Sequence, residues 1–371
     1  MVQTRGAVEA GGVVQAGPAV QALRAGGAQG ADEAGRYDVV IVGAGAGGLN
    51  AALVLGRARR RVAVVDAGEP RNAPAAHMQG FLSRDGMAPA ELLAVGRAEV
   101  AGYGVHLIDA RVDGIEAVDD ADAAGRARPG AGSAVAAGFH VTLSGGPVLW
   151  ARRIVVATGL RDVLPDIPGL RERWGRDVLH CPYCHGYEVR DRPLGVLGTH
   201  PGSVDHALLL RQWSQDVVLF WHTAELRPEQ AERLAARGVR VVEGAVKRVV
   251  VDTAADALSG VELADGRVVA REAVFVLPQM VPHDTLLAAL GCAADENGWV
   301  VADQAGRTSV PGVLAIGNVR DPRAQVVTAA GMGAAAAFAL NIELVEEDVA
   351  HAVASRRTAA YLPPFSPAPV H

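Results

Sequence analysis

Cysteine is scarce in this chain, three in 371 residues. That is too few for the disulfide framework of a secreted scaffold, and two of the three share one short motif, which favours redox or metal chemistry in a reducing compartment. No block of Lys or Arg stands out and the formal net charge is −6, so a phosphate backbone finds no electrostatic footprint and no nucleic-acid partner is expected. No uninterrupted apolar run reaches the roughly 18 residues of a membrane span. The N-terminal segment also lacks the apolar stretch and cleavage site of a signal peptide, and a cytoplasmic protein with no membrane partner is expected. Aromatics make up only 4% of the residues. What is present is aliphatic: half the residues are hydrophobic, largely Ala, Val and Leu, enough to bury substantial cores and to exclude a mainly disordered chain. At about 150 residues per domain, the length suits two domains or a little more.

Three segments stand apart. Residues 1–36 are rich in Ala, Gly and Gln and read as a disordered extension. The low-complexity stretch Asp119–Gly138 lies between two strand-like segments and reads as a surface insertion. Residues 347–371 are expected to form a C-terminal tail, proline-rich from Tyr361 onwards.

The folded region opens with a β-branched run, Tyr37–Val42, which enters Gly43-Ala44-Gly45-Ala46-Gly47-Gly48 and then a helical segment, Leu49–Gly56. Gly43 permits the tight turn, Gly45 lets backbone approach a pyrophosphate, and Gly48 brings the helix close to the strand, with helix N–H groups facing the anion. The next strand, Arg61–Val65, ends in Asp66, placed to bind ribose hydroxyls. Strand, turn, helix, strand and acid in that order make a dinucleotide site.

Near the other end, Gly312–Ile316 reads as a buried strand leading to Gly317-Asn318. Arg323-Ala324-Gln325 follows, and the stretch Gln325–Gly333 starts an Ala-rich helix running towards Leu344. This arrangement resembles the FAD site of the two-dinucleotide-domain flavoprotein disulfide reductases. That family usually has Asp where Asn318 stands and Arg-Gln where Arg323-Ala324-Gln325 stands. Asn can still hydrogen-bond a ribityl hydroxyl. Thr158-Gly159, after the strand Ile154–Val156, resembles the family's crossover into the second domain. The resemblance implies an α/β fold of two Rossmann-like dinucleotide-binding-type domains, each a three-layer ββα sandwich. The FAD domain would be discontinuous, formed by residues 37–156 and 279–346, around a second domain of residues 157–278. The cofactor-binding residues it implies are Gly43, Gly45, Gly48, Asp66, Thr158, Gly159, Gly317, Asn318, Gln325 and Val326.

The chemical centre is His180-Cys181-Pro182-Tyr183-Cys184-His185-Gly186-Tyr187-Glu188. Cys-x-x-Cys spacing lets two thiols form a small-loop disulfide when the second sits in a helix's first turn, where the dipole favours thiolate. His185 can move a proton near neutral pH. A zinc site is the competing reading, disfavoured because adjacent Cys and His side chains seldom converge on one ion; no metal is expected. The motif resembles the redox dithiol of low-molecular-weight thioredoxin reductases. Its wording is similar to the subgroup of FAD-dependent dithiol oxidases that close the disulfides of gliotoxin, holomycin and romidepsin. The resemblance implies that Cys184 faces the flavin, that Cys181 meets a small-molecule dithiol, and that His185 is the acid/base. It also implies a homodimer, with O2 reoxidising the flavin to give H2O2, in natural-product biosynthesis or self-protection.

A reductase would need a second dinucleotide site. Here the strand Leu194–Leu197 leads into Gly198-Thr199-His200-Pro201-Gly202-Ser203, with His at the close-approach position. His222-Thr223-Ala224 stands where NADPH-using relatives have His-Arg-Arg. The half is expected to keep the fold without the coenzyme, although Gly202 in a longer turn could accept NADH. A thioredoxin reductase-like enzyme and a flavin redox sensor are the alternatives. His283 reads as a surface-loop residue, Cys292 as a small buried hydrophobe, and Trp213 as helix packing. Tyr183 and Tyr187 suit an apolar entrance and core packing equally.

Overall fold

The computed structural model describes residues 35–118, 138–221 and 226–360. The expected insertion up to Ala137, the segment His222–Ala224, and nearly all of the expected N-terminal extension lie outside them.

The first unit comprises β1 (Arg36–Val42), α1 (Ala46–Arg57), β2 (Val62–Asp66), α2 (Pro89–Gly102) and β3 (His106–Asp109), then β4 (Val112–Val118), β5 (Gly138–Leu143) and β6 (Val148–Val156). The chain leaves through β7 (Leu160–Val163) into α3 (Leu170–Arg173), β8 (Val178–Leu179), α4 (Pro182–His185), β9 (Leu194–Gly198), α5 (Ser203–Leu210), β10 (Val217–Trp221), α6 (Pro228–Ala236) and β11 (Arg240–Glu243). Four further strands close this second unit: β12 (Val246–Asp252), β13 (Ala257–Leu263), β14 (Val268–Ala270) and β15 (Ala273–Phe275). β16 (Gln279–Pro282) returns the chain to α7 (Thr285–Ala289), β17 (Val313–Ala315) and α8 (Val326–Ala360).

The first sheet runs β3-β2-β1-β6-β5-β4, with β17 also pairing β6 in parallel. Its central strand β1 is apolar almost throughout because both faces are covered. Val40 and Val42 enter one core with Phe139 and Ile154, while Val39 and Ile41 enter another with Leu55, Ala336 and Leu340 of the helices. The second unit repeats the plan, with a parallel sheet β11-β10-β9-β15-β8 and an antiparallel layer β12-β13-β14. β7 and β16, the two crossings between units, pair antiparallel from Leu160↔Pro282 to Val163↔Gln279. The expected boundaries after residues 156 and 278 fall beside these strands.

Small residues let α1 and α8 touch backbone to backbone. A Cβ on Gly333 would lie 2.1 Å from the Gly47 carbonyl oxygen, and Asn50 Nδ2 donates to the Ala330 carbonyl at 2.6 Å. This is how a core with few aromatics reaches full density.

Two expected boundaries are corrected. β1 begins at Arg36, inside the expected extension. α8 continues to Ala360, so residue 347 starts no tail. The physical reason is a set of ion pairs on its second half: Asp348 with Arg60 and Arg152, and Glu347 with Arg152 and Arg153. By length and composition α8 could cross a bilayer, yet Ala336, Ala337, Leu340 and Leu344 are buried in the protein's own core.

Candidate active site

The glycine turn after β1 is shaped by contact. Gly43 has φ +104°, and a Cβ there would lie 2.5 Å from the Ala157 carbonyl oxygen. A Cβ on Gly48 would lie 1.9 Å from the Gly43 carbonyl oxygen, so this glycine seats the helix on the turn. Gly45 differs, since a Cβ there would meet nothing within 4 Å. It is the N-cap of α1, and no side chain caps the helix. The result is an open cradle of backbone N–H groups at a helix N-terminus, which fits the pyrophosphate of FAD. Asp66 ends β2 and braces this turn, its Oδ1 accepting from the Ala44 N–H at 2.9 Å while Oδ2 lies 3.3 Å from Arg97.

The other half of the cradle lies against α1, since a Cβ on Gly47 would be 3.1 Å from the Ala329 carbonyl oxygen of α8. Gly317, at φ +70°, opens a single 3₁₀ turn that carries Asn318. The Asn318 amide donates to the Asp321 and Ala324 carbonyls, each at 2.9 Å, and its Oδ1 accepts from Arg71 at 3.2 Å. Arg71 also makes a two-pronged contact with Asp162 of β7, at 2.8 and 2.7 Å. Thr158 Oγ1 donates to the His283 carbonyl at 2.6 Å, and the His283 N–H donates to the Gly159 carbonyl at 2.9 Å. The expected FAD-half residues are thereby tied to both crossings. Val326 is the first residue of α8. His283 is exposed, as expected, and its backbone closes the crossover.

Cys181 and Cys184 form a disulfide with Cα atoms 5.2 Å apart. Pro182 starts the one-turn helix α4 and Cys181 is its N-cap, accepting the Cys184 N–H on Sγ at 3.2 Å. One turn carries little macrodipole, so the expected helix field reduces to this individual N–H. Gln325 Nε2 lies 4.0 Å from both sulfurs. A residue expected only at the cofactor therefore reaches the disulfide, and the pair sits against the FAD half.

Tyr183 and Tyr187 are 66% and 64% exposed, which removes core packing as their role. Trp213 lies beyond α5, partly buried, 3.0 Å from where a Gly186 Cβ would stand and edge-on to Tyr183 with ring centroids 5.5 Å apart. It packs under the redox motif rather than in a helix face. Arg190 stacks over Tyr187 at 3.9 Å. An aromatic rim thus borders the solvent side of the cysteine pair. Burial pushes the His185 imidazole below its ordinary value, opposed in part by Glu188, so the ring is neutral and able to accept a proton at pH 7.

The second glycine turn is closed by its own residues. His200 Nδ1 accepts the Gly202 N–H at 3.0 Å, at the N-terminus of α5 where a pyrophosphate would need that donor. Ser203 Oγ is buried and donates to the Leu197 carbonyl at 3.0 Å. Cys292 is half-buried against the first core, and burial pushes its thiol up.

Sequence reasoning missed Arg71, Asp162 and the buried His206. Arg71 lies in a loop with no periodic signal, and its partners are 91 and 247 positions away.

Residues 37–334 match the family described as pyridine nucleotide-disulphide oxidoreductase. The crystal structure of HlmI is 63% identical, with a TM-score of 0.81, covering 88% of this chain and 98% of HlmI. An oxidoreductase from Agrobacterium tumefaciens is 36% identical, with a TM-score of 0.75, covering 84% of this chain and 99% of its own. Thioredoxin reductase sirT of Leptosphaeria maculans is 29% identical over 333 residues, 85% of this chain and 96% of sirT. The chain belongs to the pyridine nucleotide-disulphide oxidoreductase family, as a thioredoxin reductase-like flavoprotein oxidoreductase whose cofactor is FAD.

Proposed function

We propose that this protein oxidises a small-molecule dithiol to an intramolecular disulfide, in natural-product biosynthesis or self-protection, as a cytoplasmic homodimer. The observation that carries the reading is the pairing of His200 with the Gly202 N–H. The helix end that a reductase would offer to NADPH is occupied by the protein's own imidazole, so electrons enter from the thiol side. Identity with HlmI over most of the chain supports a shared reaction type.

A substrate thiolate attacks Cys181 Sγ, the Cys181–Cys184 bond breaks, and Cys184 leaves as thiolate. The substrate's second thiol gives up its proton and attacks the substrate sulfur of the mixed disulfide, releasing Cys181 and the cyclised product. His185 accepts a proton and stabilises the Cys184 thiolate by its charge. Tyr183 and Trp213 form the apolar side of the entrance. FAD, held by the Gly43–Gly48 cradle and the loop that carries Asn318, would supply the two-electron acceptor for the reduced cysteine pair, with O2 as terminal oxidant and H2O2 as its product.

The test is anaerobic. A small dithiol is expected to bleach the flavin of the purified holoenzyme rapidly, with NADPH and NADH slow or inert. Fast stoichiometric bleaching by either coenzyme would replace the oxidase with a reductase, and rapid bleaching by dithiol without sustained oxygen consumption in air would point to a sensor.

A further inference from the structure

The mechanism above uses one histidine, yet three crowd the redox motif. His206 of α5 is only 6% exposed, and its ring nitrogens are buried against the backbone of His180 with no other hydrogen-bond partner. Its ring stands edge-on to that of His180, centroids 6.4 Å apart, and edge-on to Phe275 at 5.8 Å. His180 directly precedes Cys181, and its Nδ1 is also buried without a partner. An apolar ring would fill the His206 site without unpaired polar atoms, so packing alone does not account for the pair.

The groups facing His180 are Arg71 and Asp162 from the first unit and its crossing, the Val276 carbonyl after β15, His185 of α4 and His206 of α5. Burial, reinforced by Arg71, holds His180 below its ordinary value, and burial takes His206 down to about 4. Both rings are therefore neutral at pH 7.

Resting on the dithiol-oxidase reading, we propose that His180 is a second acid/base of the thiol exchange, serving Cys181 while His185 serves Cys184, with His206 as the positioning residue behind it. Dithiol oxidation requires two protons to leave the substrate, and a histidine flanks each cysteine in the sequence, His180 before Cys181 and His185 after Cys184. His180 takes the proton of the first substrate thiol, whose sulfur then attacks Cys181 and expels Cys184 as thiolate. The second substrate thiol passes its proton to His185 and attacks the mixed disulfide. Cys181 leaves as thiolate and recovers the proton held on His180. The pair ends as Cys181 thiol and Cys184 thiolate beside protonated His185, carrying the two electrons removed from the substrate.

The experiment is stopped-flow reduction of the anaerobic holoenzyme by dithiothreitol. His180→Gln should keep its FAD and slow reduction at pH 7 by roughly 10²–10⁴-fold. The rate should recover towards wild type at about pH 9.5, where free thiols, with a pKa near 8.5, ionise unaided. His206→Phe should retain the acid limb of the pH–rate profile and shift its midpoint, which a merely structural ring would leave in place. A readout with position 180 intact comes from His185→Ala, in which an acid limb of histidine type should persist. The proposal is overturned by wild-type rates in His180→Gln, by slowing that high pH does not rescue, or by loss of the limb in His185→Ala. Failure of dithiothreitol to reduce even the wild type would instead remove the oxidase reading on which the proposal rests.

Discussion

Asn318 explains itself by its amide. An Asp, the residue usual at this place in the family, accepts hydrogen bonds and donates none when ionised. Here the side chain donates to two carbonyls, of Asp321 and Ala324, and so holds the loop that delivers Gln325 to the disulfide. Asn318→Asp would strip both donors. The added charge gains little in return, because Arg71 is already engaged by both oxygens of Asp162. The variant is expected to lose about 1–3 kcal/mol, read as a lower melting temperature of the apoprotein, with Asn318→Ala similar. An unchanged melting temperature in both would show that the loop holds without the amide.

At the scale of elements, the one-turn helix α4 makes two chemically identical cysteines unequal. Cys181 is the N-cap and receives the Cys184 N–H on its sulfur, while Cys184 lies within the turn. If Cys184 is the partner of the flavin, Cys181→Ser leaves a lone thiolate beside oxidised FAD. A long-wavelength absorption band should then appear in Cys181→Ser and be absent from Cys184→Ser, with FAD retained and turnover lost in both. The reverse pattern would exchange the two roles. This motif and the Gly43–Gly48 turn were legible in the sequence because their determinants are local: a φ of +104° at Gly43, a proline at N1, thiols three positions apart. Arg71 and His206 were not, because their significance lies in partners that only the fold brings near. The end of α8 was missed for a related reason. Glu347 and Asp348 look like the solvated end of a helix until Arg60, Arg152 and Arg153 are seen beneath them.

At the scale of the whole molecule, one surface among the described residues is unexplained by the protein's own packing. Along α8, Phe338, Ile342, Val345, Val349 and Val353 are exposed, the first two at 61% and 64%. Spacings of four and three place them in one stripe. Three of the acids between them turn the other way, Glu343 to Arg307, Glu347 to Arg153 and Asp348 to Arg60, which leaves the exposed Glu346 as the acid set within a mainly apolar stripe. An exposed patch of this kind marks an interaction surface. The proposed homodimer supplies a cover of matching chemistry, since a two-fold interface brings the same apolar side chains against themselves. Phe338→Glu combined with Ile342→Glu would set like charges against each other across that interface, while touching neither the α1 contact at Gly333 nor the cysteine pair. The double variant is expected to run as a monomer by light scattering at concentrations where the wild type is a dimer, and to keep its FAD. A wild type that is monomeric at tens of micromolar, or a double variant that still dimerises, would take the interface away from this face of α8.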